Sequence, residues 1–369
     1  MKINRISIYR KTLPLKKPYW LSGGRLRFEN LDSTFVRIQT DNHITGWGEG
    51  CPWGHTYLPA HGAGIRSAAE LLAPALVGMD PRRLDHINQC MDRTLPGHLY
   101  AKSPFDIACW DVFGQSADLP IADLLGGCYS EPTPIASSIS TDTPTRMLEN
   151  LQQYRDRGYY AHSVKIGAET MLDIERICHL EANRNTGEFI FYDINRAWLP
   201  AEAMQVMNSV RDLPIVVEQP CETLDQCAAV RARTVQPISI DERLETLNDM
   251  QRIINERIAE IVNIKINRCG GLTKSRRIRD LALSGGIKML TMETGGSVIA
   301  DTAAQHLSQS IPREYRLGTW LCQEMLTVDT APGRGSRNNN GDSGIPLGVA
   351  GLGVAPDEEL LGNPVAVYE

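Results

Sequence analysis

The pattern of hydrophobic and polar positions divides the chain into two parts with different rhythms. In the first part, runs that alternate apolar and polar residues are followed by runs with apolar residues at helical spacing. Strands followed by helices predict a small α+β domain over residues 1–125. Its strands are predicted over residues 3–9, 33–40 and 44–49, and its helices over residues 61–76 and 100–115.

From about residue 130 the pattern changes to short apolar runs, and an amphipathic helical stretch follows each of the first seven. Eight strands alternating with helices over about 190 residues is the count of a (β/α)₈ barrel. An open doubly wound sheet could use the same units, but no GxGxxG follows the first strand, and even spacing favours closure. The strands are predicted over residues 135–139, 162–166, 189–194, 215–219, 238–241, 260–266, 288–292 and 315–320.

Residues 321–369 are rich in Gly, Pro and Asn and have no strong periodicity. Their Val, Ile and Leu content favours docking over a free linker. The fold predicted for the whole chain is therefore of the α/β class. It is a modified (β/α)₈ TIM barrel over residues 126–320, with an N-terminal α+β capping domain that the C-terminal tail completes.

Composition narrows the class of protein. The formal net charge is −6, and the Lys and Arg residues are scattered, which argues against nucleic-acid or anionic-membrane partners. No run approaches the roughly 18 apolar residues of a membrane span. The first 15 residues read as a strand rather than a signal peptide, and the nine cysteines form no CxxC pair. A reduced, cytoplasmic protein is the expectation.

Acidic residues end three consecutive barrel strands. Asp193, Glu218 and Asp241 each follow an apolar run, one strand–helix unit apart. Because the carboxyl ends of barrel strands meet at one face, the three carboxylates should lie close together and repel one another without a cation. Oxygen ligands with no His or Cys suit Mg²⁺. Helix capping explains any single acid, but explains three in consecutive units poorly.

Two lysines flank these acids. Lys165 ends the strand before Asp193, and Lys265 lies one unit after Asp241. Burial among apolar neighbours and a nearby cation should lower the pKa of each lysine toward the range of a proton acceptor. The plainer alternative is a buried stem whose ammonium group reaches solvent. The two lysines should face each other across the barrel mouth, with substrate between them.

Several short motifs accompany the acids and lysines: AKSPFDIACWD (101–111), LLGG (124–127), DIN (193–195), EQP (218–220), DE (241–242) and KIN (265–267) with Gly270-Gly271. Through these motifs the chain resembles the enolase superfamily, in its muconate-lactonizing-enzyme type subgroup, over essentially its whole length. The resemblance implies one Mg²⁺ per subunit, held by the three acids. It also implies that Lys165 and Lys265 abstract and return a proton α to a carboxylate through an enediolate. One departure is Ser163, which stands where the subgroup usually has the first lysine of Lys-x-Lys.

Substrate contacts are expected from two aromatic loops of the capping domain, residues 17–24 and 51–57, and from the ends of the barrel strands. Trp320 could face a cationic nitrogen, although core packing is the plainer interpretation of this residue. Glu293 could pair with an ammonium group or assist a leaving hydroxyl, or it could cap a helix. The predicted contact residues are Trp320, Glu293, Thr294, Tyr57, Trp20, His55, Ser163 and Asn195.

The loop residues 51–57, the run 218–221 and the run 318–320 are similar to the group of this superfamily that acts on proline derivatives. That similarity implies a small-molecule amino acid or betaine substrate. We expect dehydration of cis-3-hydroxy-L-proline to Δ¹-pyrroline-2-carboxylate. The alternatives are 2-epimerisation or racemisation of proline or hydroxyproline betaine, a dipeptide epimerase, and a non-catalytic barrel that binds a small acid. The family resemblance also implies a homo-oligomer.

Overall fold

The chain begins with a sheet and helices that form a cap over the barrel. The computed structural model describes residues 1–129 and 131–369. The cap strands are β1 (Ile3–Leu21), β2 (Leu26–Thr40) and β3 (Thr45–Gly50), and its helices are α1 (Gly62–Leu76), α2 (Leu84–Thr94), α3 (Leu99–Ala117) and α4 (Ile121–Leu124).

A short strand, β4 (Thr133–Pro134), leads into eight barrel strands that alternate with helices. These strands are β5 (Ala136–Ile139), β6 (Ala161–Lys165), β7 (Phe189–Asp193), β8 (Val216–Glu218), β9 (Ile238–Ile240), β10 (Ile261–Lys265), β11 (Lys288–Met292) and β12 (Arg316–Gly318). The helices are α5 (Pro144–Arg155), α6 (Thr170–Glu181), α7 (Pro200–Ser209), α8 (Leu224–Arg231), α9 (Leu247–Asn255), α10 (Ile266–Cys269), α11 (Leu272–Ser284) and α12 (Val298–Gln309). The tail contains β13 (Asp342–Ser343), α13 (Glu358–Leu361) and β14 (Ala366–Tyr368).

The eight barrel strands are parallel and follow one another in chain order from β5 to β12. The sheet curves until its two edges meet: Thr319 N donates to Pro134 O at 2.8 Å, and Ala136 N donates to Thr319 O at 2.7 Å. Apolar side chains fill the inside, among them Phe191 and Leu290. The predicted barrel is confirmed, and the expected face for a site is the one at the carboxyl ends of its strands.

The cap sheet has the order β14-β1-β2-β3, so the last strand of the chain pairs with the first, as the predicted fold requires. The hydrophobic pattern predicted a first strand ending at Tyr9, whereas β1 continues to Leu21. It continues because Leu13, Tyr19 and Leu21 are buried in a cluster of their own. The pairing with β2 is irregular between Pro14 and Tyr19, where the alternation is hardest to follow in the sequence.

Helix α3 lies between the cap sheet and the barrel and is buried along most of its length. On the sheet side, a Cβ at Gly48 would lie 2.0 Å from the Pro104 carbonyl oxygen, so only glycine permits this close packing. On the barrel side, Asp106 accepts hydrogen bonds from N and Oγ1 of Thr273 at 2.9 and 2.6 Å, and Trp110 Nε1 donates to Thr273 Oγ1 at 2.9 Å. These bonds fix the cap to the first turn of α11.

Among the residues that the structure describes, none of the helices combines the length and apolarity that crossing a bilayer requires.

Candidate functional site

A pocket lies at the carboxyl ends of the barrel strands, beneath the cap. Its position between the cap and the barrel suits a small molecule rather than a polymer. Side chains of the cap form one wall and side chains of the barrel form the rest. The lining residues are Tyr19, Leu21, Trp53 and Tyr57 from the cap, and Ala136, Ser138, Ser163, Lys165, Phe191, Asp193, Asn195, Glu218, Asn263, Lys265, Met292, Thr294 and Trp320 from the barrel.

The strand register places the charged residues side by side. Lys165 pairs with Asp193 across β6 and β7, and Asp193 pairs with Glu218 across β7 and β8. Asp241 directly follows β9, and Lys265 ends β10. The structure therefore brings together all five residues that the sequence singled out. They are buried, although Asp241 itself does not line the pocket.

The two lysines occupy opposite sides of the barrel mouth. β10 is the fourth strand after β6 in a ring of eight, so the two strands lie half the circumference apart. Lys165 Nζ donates a hydrogen bond to Asp193, and Lys265 Nζ donates to Asp241 Oδ2 at 2.7 Å. A small molecule in the pocket would have one ammonium group on each side.

The backbone after two of these strands is strained. Asn195 (φ 45°), Arg196 (φ 66°) and Gln219 (φ 39°) lie in the left-handed region, which non-glycine residues rarely adopt. The Asn195 turn holds Asp193, because its N and Nδ2 donate to Oδ1 and Oδ2 at 2.9 and 3.1 Å. Gln219 Oε1 accepts from Asp241 N at 3.1 Å. Strain of this kind is often retained where it positions functional groups.

Asp241 is surrounded by positive charge. Besides Lys265, Arg268 Nη1 donates to its Oδ1 at 2.7 Å. Burial by itself would raise the pKa of Asp241, but Lys265 and Arg268 lower it to about 2. Sequence reasoning missed Arg268, although its position three residues after Lys265 places it on the first turn that follows the strand.

Glu218 has the opposite environment. Burial, followed by repulsion from Asp193 and Asp241, raises the pKa of Glu218 well above its usual range. Asn263 Nδ2 donates to Glu218 Oε1 at 2.9 Å. A cation among the three carboxylates would remove the repulsion that makes ionised Glu218 costly.

Across the described part of the chain, no group of three or more His, Cys, Asp or Glu side chains is arranged closely enough to hold a metal ion as it stands. The oxygens of Asp193 and Asp241 face the two lysines instead. The donor chemistry nevertheless fits a hard divalent cation, because the three buried acids offer only oxygen and repel one another.

The expected lowering of the lysine pKa depended on burial together with a nearby cation, and without the cation the pKa of Lys165 moves the other way. Burial does favour the neutral amine, but Asp193, Tyr19 and Glu218 together outweigh it and raise the pKa of Lys165 above its ordinary value. The sequence showed the apolar strand around Lys165. It did not show how close the neighbouring carboxylate would lie.

Aromatic side chains form the cap side of the pocket. The Trp53 ring lies 5.4 Å from the Tyr19 ring and 5.8 Å from the Trp320 ring, measured between centroids. Tyr19 also hydrogen-bonds Ser138 through its hydroxyl. Tyr57 and Trp320, both predicted contacts, line the pocket. So do Trp53 and Tyr19, which belong to the two predicted cap loops but were not among the predicted contact residues.

The structure does not bring Trp20 or His55 to the pocket, so both predicted contacts are corrected. Trp20 points outward with 40% of its surface exposed, and Arg27 lies over its ring. Strand alternation turns Tyr19 and Leu21 inward and leaves Trp20 outside. His55 is exposed on the turn before Tyr57. The period of two, applied to the longer β1, would have identified Tyr19.

The remaining predicted contacts divide into two groups. Ser163, Asn195 and Thr294 line the pocket. Glu293 does not, which corrects its predicted contact: it is buried, and its Oε2 accepts from the backbone N of Asn267 at 3.0 Å, near the start of α10. The capping interpretation of Glu293 therefore fits the structure better.

Comparison with known proteins agrees with this architecture. Residues 6–126 match the mandelate racemase / muconate lactonizing enzyme N-terminal domain, and residues 146–360 match the enolase C-terminal domain-like family. A cis-3-hydroxy-L-proline dehydratase from Roseibium aggregatum is 37% identical over 369 residues, which is 100% of both chains. An N-succinyl-L-Arg/Lys racemase from Bacillus cereus is 31% identical and aligns with 84% of this chain and 85% of its own.

A solved structure from Roseovarius nubinhibens, a member of the enolase superfamily complexed with magnesium, is 50% identical. It superposes with a TM-score of 0.96 over 100% of this chain and 99% of its own. With both domain families matched and full-length relatives at this identity, the chain belongs to the enolase superfamily of enzymes, in its mandelate racemase / muconate lactonizing enzyme branch.

Proposed function

We propose that the protein removes the α-proton of a proline-type amino acid and dehydrates cis-3-hydroxy-L-proline to Δ¹-pyrroline-2-carboxylate. The observation that carries this proposal is the pair Lys165 and Lys265 on opposite sides of a small aromatic pocket. The full-length similarity to the Roseibium aggregatum dehydratase supports the choice of substrate.

Asp193, Glu218 and Asp241 are the residues that would hold Mg²⁺. When bound, the ion supplies positive charge that stabilises the substrate carboxylate as charge builds up on it. The oxygen-only donor set and the raised pKa of Glu218 support this assignment. So does the magnesium complex of the Roseovarius nubinhibens relative.

The stereochemistry of the substrate fits two lysines. In cis-3-hydroxy-L-proline the α-hydrogen and the 3-hydroxyl lie on opposite faces of the ring. A base on one face removes the α-proton while an acid on the other protonates the departing hydroxyl. The C3–O bond then breaks, water leaves, and the resulting enamine tautomerises to the imine. Lys165 is proposed as the base for the L-substrate from family resemblance, and Lys265 as the acid.

The rest of the pocket offers groups for the ring. The indole of Trp320 could contact the ring nitrogen through a cation–π interaction. Thr294 Oγ1 is buried and, within the described chain, has no hydrogen-bond partner. Since an unpaired buried hydroxyl costs about 1–3 kcal/mol, a substrate hydroxyl that pairs with it would recover that energy.

Incubation with cis-3-hydroxy-L-proline and Mg²⁺ in D₂O tests the proposal by proton NMR. We expect Δ¹-pyrroline-2-carboxylate carrying deuterium at C3. As a control, trans-3-hydroxy-L-proline should lose no water, because its α-hydrogen and hydroxyl share one face. Deuterium at an inverted α-carbon without loss of water would establish an epimerase instead. If neither compound reacts, the proposed substrate is wrong.

Replacing the hydroxyl of Thr294 should slow the loss of water more than it slows α-deuterium exchange. We expect Thr294→Val to slow water loss about tenfold, the value of one hydrogen bond of roughly 1.4 kcal/mol, and to change α-deuterium exchange less than about twofold. Thr291→Val is the matched control, because Thr291 is also buried and unpaired in the described chain but does not line the pocket. Equal loss of both reactions in Thr294→Val would contradict a contact with the leaving hydroxyl.

A further inference from the structure

The cap loop at residues 51–61 contains one tyrosine, Tyr57, and its hydroxyl reaches the barrel. The backbone N of Tyr57 and that of Leu58 donate to the Gly54 carbonyl at 3.0 and 3.3 Å, which closes a tight turn. The turn leaves His55 exposed and directs Tyr57 inward, where 4% of its surface remains accessible.

The buried hydroxyl of Tyr57 lies among charged groups of the barrel. It donates to Glu242 Oε1 at 3.0 Å and lies 3.4 Å from Asp241 Oδ2. Lys265 Nζ donates to it at 3.4 Å and also lies 5.7 Å from the centre of its ring. The Tyr57 hydroxyl is thus an acceptor for the ammonium group of Lys265, supplied by the cap rather than by the barrel.

The loop is also tied to the barrel at its backbone. Arg196 Nη2 donates to the Tyr57 carbonyl oxygen at 2.6 Å, and its guanidinium lies over the ring at 5.5 Å. Arg196 Nε lies 3.7 Å from Glu242 Oε1, the acceptor of the Tyr57 hydroxyl. Glu242 receives a further bond from Asn195 Nδ2 at 3.1 Å. Residues that follow two barrel strands therefore hold Tyr57 at both its backbone and its hydroxyl.

The two lysines differ in whether a cap side chain holds their ammonium group. Lys265 Nζ is held by Asp241 of the barrel and Tyr57 of the cap, so its direction depends on the position of the loop. Lys165 Nζ donates to Asp193, and the cap tyrosine near it, Tyr19, directs its hydroxyl to Ser138.

We infer that Tyr57 is a positioning residue that aims Lys265 into the pocket, so that proton transfer on the Lys265 face requires the 51–61 loop to be closed while transfer on the Lys165 face does not. This inference rests on the proposed function. By this inference the cap controls one of the two proton transfers, in addition to forming one wall of the pocket.

Two substrates that differ only at the α-carbon can test this asymmetry. With cis-3-hydroxy-L-proline and trans-3-hydroxy-D-proline in D₂O, cleavage of the α-C–H bond reports the base on each face. Lys165→Ala and Lys265→Ala first assign each epimer to its lysine. Tyr57→Phe should then slow cleavage at least tenfold for the Lys265 epimer and less than threefold for the Lys165 epimer. Equal slowing of both epimers, or of neither, would overturn the inference.

A second measurement does not depend on turnover. Acetic anhydride labelling, followed by peptide mass spectrometry, reports how accessible and how nucleophilic the amine of each lysine is. Tyr57→Phe should raise labelling of Lys265 at least threefold and leave Lys165 within twofold of the wild type. Unchanged labelling of Lys265 would refute the positioning role. Tyr160→Phe, which removes a hydroxyl bonded to Asp342 at 2.7 Å on the surface, is the matched control and should change neither measurement.

The two proposals can fail separately. If the wild-type protein cleaves the α-C–H bond of neither epimer, the proposed function is wrong, and the labelling result alone decides the role of Tyr57. If the wild type reacts but Tyr57→Phe behaves like Tyr160→Phe in both measurements, only the role of Tyr57 is refuted.

Discussion

Lys165→Ala and Lys265→Ala should each lower kcat/KM for water loss from cis-3-hydroxy-L-proline by about 10²–10⁴-fold, the usual contribution of a positioned acid or base. The reason is that anti elimination needs a proton acceptor on one ring face and a donor on the other, and each lysine supplies one face. Initial rates of Δ¹-pyrroline-2-carboxylate formation measure the effect. The double variant should be little slower than either single one, because removal of either group stops the same step.

Each alanine variant leaves a buried carboxylate without its ammonium partner, which can cost about 3–5 kcal/mol of stability. Lys165→Met and Lys265→Met, which retain most of the side-chain volume, should therefore be measured beside them, with circular dichroism to verify folding. Lys288→Ala removes an exposed lysine at the opposite end of β11 and should leave the rate unchanged. Full activity in a folded variant of Lys165 or Lys265 would contradict the two-lysine assignment.

Glu218→Gln should abolish most of the stabilisation by Mg²⁺ and most of the activity. Wild-type protein at a free Mg²⁺ concentration 100 times Kd should gain about 2.7 kcal/mol, seen as a rise in Tm. Without added metal the variant should instead unfold at a higher Tm than the wild type near pH 8. Removal of Glu218 eliminates the repulsion from Asp193 and Asp241 that raises its pKa in the folded state.

The sign of the pH dependence follows from that raised pKa. Folded Glu218 holds its proton to higher pH than the unfolded chain does, so this group makes wild-type stability fall as pH rises above its unfolded pKa. The fall should be smaller in Glu218→Gln, and Mg²⁺ should suppress it in the wild type. Glu175→Gln removes an exposed carboxylate on α6 and is the matched control. A Glu218→Gln variant whose Tm still rises with Mg²⁺ as in the wild type would contradict the proposed ligand set.

The sequence by itself determined the barrel and the position of its charged residues. The eight apolar runs are short and regularly spaced, and parallel strands in a closed ring must all end at one face. Residues at the ends of β6, β7, β8 and β10 therefore had to converge, as Lys165, Asp193, Glu218 and Lys265 do. This inference needed only the order of the strands, because the carboxyl end of each strand is fixed by chain direction.

Only the tertiary structure decided which cap residues reach the pocket. Trp20 and Tyr19 are adjacent in the sequence, and their roles depend on how far β1 extends and on its irregular pairing after Pro14. A shift of one residue in a strand exchanges its two faces, so the aromatic content of the segment could not decide between them.

The tertiary structure alone also decided how close charged groups lie to the two lysines. The sequence predicted buried lysines, but a lysine pKa depends on the distance to each carboxylate as well as on burial. Contacts between Tyr57 and Lys265, or Arg268 and Asp241, join side chains from separate elements, and only packing sets their distances. The sequence therefore determined which groups meet at the barrel mouth, and the tertiary structure decided how each one is held, because orientation depends on packing between elements distant in the chain.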